Sequence, residues 1–175
     1  MFNPKWLIYH TYRVNRFSIL LGLGFTFMVS IILFGFKSEP ELTKADSYTY
    51  TIDSLRTTAF HLQGLPYRFG GKNEGGFDCS GFTHYVYHSV GIELNASAAG
   101  QFRQGQQVHR DSLAVGDLVF FQNSNGRIFH VGLYVGEENA RRAFIHASSS
   151  RGVVKDYLDQ RYFAKRWVGS RRFVL

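Results

Sequence analysis

Nineteen consecutive uncharged residues, Ser18 to Phe36 (SILLGLGFTFMVSIILFGF), divide this chain into a short N-terminal segment and one domain-sized remainder. A helix needs about 20 apolar residues to cross the hydrocarbon core of a bilayer. A cleavable signal has an apolar region of roughly 7–15 residues followed by a small-residue exit. Here the run is longer, and Phe34-Gly35-Phe36-Lys37 lacks the small-x-small pattern. Lys5, Arg13 and Arg16 precede it, while Lys37, Glu39 and Glu41 follow. That excess of basic charge on the N-terminal flank predicts residues 1–17 in the cytoplasm, a transmembrane anchor over 18–36, and everything after it outside. A long cleaved signal is the rival reading and a buried core helix the third. With either anchor or signal, the remainder is exported.

Residues 37–47, polar and containing Pro40, read as a linker, which leaves 48–175 for one domain. Apolar residues make up 45% and aromatics 17%, enough for a core and too much for disorder. The net charge of +7 is concentrated at the C-terminal end, where nine basic residues from Arg141 onward face only Asp156 and Asp159. Such a tail suits nucleic acid, an anionic surface or a solvated face equally. An exported domain argues against nucleic acid. Cys79 is the only cysteine, which excludes an internal disulfide framework, a multi-cysteine metal site and a lipid-modified cysteine after the apolar run.

Within the domain, Ile52, Leu55, Ala59 and Leu62 recur at helical spacing, so a helix is predicted over 51–63, stopped by Gly64-Leu65-Pro66. A second helix is predicted from Cys79 to about Val90, with Phe82, Val86 and Val90 on one face, and a short third from Ser97 to Gln104 with Ser97 as its cap. The period then changes. Strands are predicted at 118–121, 128–135, 142–147 and 167–174, with a hairpin turn at Asn123–Gly126. Helices first and antiparallel strands second give an α+β class.

The glycine-rich loop PYRFGGKNEGGFD lacks the Lys-Ser/Thr ending and the leading strand of a nucleotide P-loop, and that reading is rejected. Cys79 follows this loop at the predicted first turn of a helix. There the free backbone N–H groups and the dipole are expected to stabilise a thiolate, the form that acts as nucleophile. A buried structural cysteine is the alternative. His84 and His88, at i and i+4, resemble a ligand pair but lie opposite the apolar stripe with no acidic or cysteine partner at ligand spacing, so a solvated face is expected and no metal. His130 and His146 fall in predicted strands, where a base would be rigidly held. Spacing alone does not bring them to Cys79.

The ordered set PYRFGG, FDCSGF, GDLVFF, HVGLYVG and FIHAS resembles the NlpC family of bacterial cell-wall cysteine peptidases over essentially the whole exported part. The resemblance implies a papain-like fold, with N-terminal helices packed on an antiparallel sheet. It implies Cys79 as nucleophile, His130 as general base, His146 as the polar residue orienting that base, and Tyr67 near the nucleophile. Asp78 and Ser80 would help bind the amine end of a substrate. The implied reaction is hydrolysis of an amide in peptidoglycan stem peptides, typically γ-D-glutamyl to diamino acid, by a thiolate paired with a protonated His130 and without a cofactor. An acyltransferase using the same pair, or a catalytically silent wall-binding domain, are the alternatives. The expected location is the cell envelope, with the domain on the outer side of the membrane.

Overall fold

The computed structural model describes residues 43–174. The expected cytoplasmic segment, the apolar run 18–36 and most of the linker lie outside the described residues. Among the described residues, no helix is long and apolar enough to cross a membrane.

The first helix, α1 (Lys44–His61), begins seven residues before the predicted start. Its first two turns are exposed and carry no apolar period, which hid them. Capping chemistry starts the helix instead: the Thr43 hydroxyl accepts from the Asp46 N–H, and the Asp46 carboxylate accepts in return from the Thr43 N–H. The last residues of the expected linker are therefore helical. The half of α1 that carries the apolar period buries Leu55 and Ala59.

A two-stranded ribbon follows, β1 (Lys72–Asn73) with β2 (Gly76–Phe77), then α2 (Cys79–His88) and α3 (Ala98–Phe102), the last capped by the Ser97 side chain as predicted. The main sheet contains β3 (Gln106–Val108), β4 (Leu118–Gln122), β5 (Ile128–Glu138), β6 (Arg141–Ser148), β7 (Gly152–Tyr157) and β8 (Trp167–Arg172). Its antiparallel order is β3-β8-β4-β5-β6-β7. Strands β1, β2, β3 and β7 and the short α4 (Arg161–Ala164) were not foreseen. This is the expected α+β arrangement.

Alternation along the strands builds two apolar layers. Leu118 and Phe120 of β4, Val131, Leu133 and Val135 of β5, and Ala143, Ile145 and Ala147 of β6 pack with Leu55, Ala59, Phe77, Phe82 and Val86. The opposite face gathers Val119, Phe121, Tyr134, Phe144, Leu158, Phe163 and Trp167. Residues 130 and 146 are in phase with this second face. Their rings lie 5.8 Å from Phe121 and 4.9 Å from Phe144, respectively. Five of the nine basic residues from Arg141 onward, Arg141, Arg142, Arg151, Lys155 and Arg172, have carboxylate partners.

Candidate active site

Cys79 opens α2, and the residues around it explain why the helix starts there. Asp78 is the N-cap, its carboxylate accepting from the Gly81 N–H at 2.7 Å and from the Ser80 hydroxyl at 3.0 Å. Its other oxygen accepts from the Gly70 N–H at 3.0 Å, and the Asp78 N–H donates to the Gly71 carbonyl at 3.1 Å. The glycine-rich loop is thus folded back over the start of the helix. Behind it, the buried Gln101 amide donates to the Ser80 carbonyl and accepts from the Thr83 hydroxyl, so the first turn is held from the core side as well.

Tyr67, Cys79, Phe129, His130, His146 and Asp156 line one cleft of about 590 Å³, together with the turn Ser148–Arg151 and with Gln160, Tyr162 and Phe163. That volume suits a small-molecule or peptide site. The Cys79 thiol donates to the Phe129 carbonyl at 3.9 Å, which seats the sulfur beside the backbone that carries His130. His130 Nε2 lies 2.8 Å from His146 Nδ1, and His146 Nε2 lies 2.9 Å from Asp156 Oδ2. Arg151 donates to the same carboxylate. The four candidates Tyr67, Cys79, His130 and His146 therefore converge on one cleft. Asp78 and Ser80 do not line it; they bond to each other beside Cys79.

Electrostatics here run against one expectation. Burial pushes the Cys79 thiol up to about 11, with the neighbouring Asp78 charge adding to the rise. The N–H groups of Val131, Ser80 and Cys79 pull the other way without prevailing. Burial pushes His130 down to about 3, and the neighbouring His146 lowers it further. Desolvation outweighs the helix terminus in both groups and favours their neutral forms, whereas the expected pair was thiolate and imidazolium. Burial raises the Tyr67 hydroxyl, helped by the Cys79 and Asp78 charges. Asp156 is held at about 2: burial alone would raise it, but hydrogen bonds from His146 and Arg151 overcome that.

Asp156 is the site residue that sequence reasoning missed. No periodic signal marked β7, so its place beside His146 was invisible. For His84 and His88, where no acidic partner was found at ligand spacing in the sequence, a solvated face was expected. Glu93 approaches both rings, at 3.4 Å and 3.2 Å. Among the described residues, no group of three His, Cys, Asp or Glu side chains is arranged to hold a metal ion.

Comparison with known proteins follows the same outline. Residues 64–172 match the NlpC/P60 family model. The chain is 40% identical over 112 residues to the murein DD-endopeptidase MepS/murein LD-carboxypeptidase of Escherichia coli, covering 63% of this chain and 56% of that protein. It is 36% identical over 132 residues to a gamma-D-glutamyl-L-lysine dipeptidyl-peptidase of Bacillus cereus, covering 74% of this chain and 38% of that one. The chain thus spans about half the length of these relatives, or less. The crystal structure of an NlpC/P60 family protein from Bacillus cereus superposes with a TM-score of 0.67 at 35% identity, over 71% of this chain and 40% of that one. With the family model covering well over half its length, the chain belongs to the NlpC/P60 family.

Proposed function

We propose that this protein is a peptidoglycan hydrolase, a cysteine peptidase that cuts an amide bond in stem peptides. One observation carries the reading: a half-buried thiol at a capped helix start shares a cleft with an imidazole that is itself hydrogen-bonded to a second histidine. Cys79 is the nucleophile and His130 the base. Because both are neutral at rest, His130 takes the thiol proton as sulfur approaches the carbonyl, rather than before substrate arrives. The Cys79 N–H and the Tyr67 hydroxyl are the candidate donors to the oxyanion, and one such donor is typically worth about 3 kcal/mol. His130 then protonates the leaving amine, and water releases the acyl group from sulfur.

His146 orients His130. A substrate-binding role for Asp78 rests on what capping leaves over: a carboxylate offers about four acceptor sites, and three are occupied by Gly70, Ser80 and Gly81. One oxygen therefore retains capacity for a substrate amine, with Ser80 steadying the group. The names of the relatives favour stem-peptide substrates but differ in the bond cut. For this chain the γ-D-glutamyl bond to the diamino acid is our reading. The domain would act on the outer side of the membrane, tethered through residues 18–36.

Digestion of purified peptidoglycan, with fragments identified by mass spectrometry, tests this. Wild-type protein should release stem-peptide fragments ending at γ-D-glutamate, and Cys79→Ala should release none. Undiminished release by Cys79→Ala would overturn the proposal.

A further inference from the structure

The histidine pair does not end at His146. We propose that Asp156, clamped by Arg151, is a positioning residue that fixes the tautomers of both His146 and His130 and so keeps the proton-accepting nitrogen of the base free. The inference rests on the peptidase reading above for its consequence, but on geometry alone for its substance.

Counting protons along the chain fixes each tautomer. Asp156 is 5% exposed and receives hydrogen bonds from His146 and Arg151, so as a carboxylate it can only accept. His146 Nε2 must therefore carry a proton. A neutral imidazole has only one N–H, so His146 Nδ1 is left as an acceptor. At 2.8 Å from that acceptor, His130 Nε2 must donate. His130 Nδ1 is then unprotonated and able to take the thiol proton. One carboxylate thereby decides the state of a nitrogen two rings away.

The placement is built into the sheet. On β6 and β7, His146 pairs with Val154 and Phe144 with Asp156, so Asp156 is the same-face diagonal neighbour of His146. Arg151 reaches back from the turn between the two strands to the same carboxylate. His146 itself is 2% exposed and boxed in by Phe144 and Phe163. Without Asp156, nothing on β7 would hold the His146 proton on Nε2. A His146 protonated at Nδ1 would turn His130 Nε2 into an acceptor and place its proton on Nδ1, the wrong nitrogen for a base.

The test reads the tautomers directly. In protein labelled with nitrogen-15 histidine, two-bond proton–nitrogen spectra near pH 7 should report both His130 and His146 as Nε2–H tautomers. In Asp156→Ala, at least one should shift toward the Nδ1–H form. Asp156→Asn, whose amide oxygen can still accept from His146, should restore the wild-type pattern in part and carries the test if the alanine variant fails to fold. In stem-peptide assays, Asp156→Ala should lower kcat at least tenfold with KM changed less than twofold, and Asp156→Asn should recover part of that loss. Unchanged tautomers in a folded Asp156→Ala protein, or complete loss of the Nε2–H pattern in a folded Asp156→Asn protein, would overturn the proposal. An inactive wild-type protein would instead defeat the peptidase reading and leave the spectra to decide this one.

Discussion

His130 and His146 meet edge to face, with their rings at 89° and their facing nitrogens 2.8 Å apart. This geometry gives a directional hydrogen bond, which a substitute at 146 reproduces only if it offers an acceptor near the same point. His146→Asn should therefore keep more stem-peptide cleavage than His146→Ala, by about tenfold in kcat. Steady-state kinetics on both variants, with folding checked by circular dichroism, measure the difference. Equal and complete loss in two folded variants would remove the orienting role.

Gly81 is fixed by a close approach. A Cβ added there would stand 2.0 Å from the Gly71 carbonyl oxygen, a backbone atom that cannot swing aside. Gly81→Ala must therefore push the loop that carries Tyr67 away from the helix that Cys79 opens. We expect a destabilisation of about 1–3 kcal/mol, as for other overpacked sites, and a fall in activity larger than that of Tyr67→Phe. Thermal melts and turnover measured together check this; an alanine variant with wild-type values in both would contradict it.

The thiol should behave as a weak acid. With Cys79 raised to about 11, its thiolate fraction at pH 7.5 is on the order of a hundredfold below that of an unperturbed cysteine of pKa about 8.5. Alkylation by iodoacetamide should be slow at neutral pH and climb steadily toward pH 11. Rapid alkylation persisting down to pH 5 would reveal a preformed ion pair and contradict the neutral resting state.

Acid should weaken the fold through the same histidines. Burial lowers both His130, to about 3, and His146. In the unfolded chain each titrates near about 6.5. Below that pH the unfolded chain binds protons that the native state refuses, so stability falls as pH falls. The slope is about 1.4 kcal/mol per pH unit for each histidine, and for His130 it continues to about pH 3. Asp156, depressed to about 2, adds to the loss only below about pH 4. Urea titrations between pH 7 and pH 4 measure the slope, which should be shallower in His130→Gln.

What the sequence disclosed follows from which signals are local. Cys79 at a helix start and the hairpin around Asn123–Gly126 come from chemistry within a few residues, and both are where the pattern placed them. The beginning of α1 was missed because a capping pair started an exposed helix that carries no apolar period there. Strand β7 was missed because Lys155, Asp156 and the preceding turn break the run of apolar residues, although Val153 is buried. That strand carries Asp156, so the end of the hydrogen-bond chain became visible only with the pairing of β6 and β7 in three dimensions. The acidity of Cys79 has a non-local part as well: a helix terminus can be read from sequence, whereas the desolvation that raises the thiol depends on neighbours distant in the chain.

Cys79 and His130, the proposed nucleophile and base, are anchored to separate apolar layers. Cys79 rides on the layer containing Phe82 and Val86, whereas the His130 and His146 rings lean on Phe121, Phe144 and Phe163 across the sheet. A site of this kind must hold its groups within about 0.5 Å of the productive geometry, so loosening either layer disturbs their alignment before the fold is lost. Warming should therefore silence the proposed activity below the temperature at which the secondary structure melts, making catalysis the more sensitive thermometer of the two.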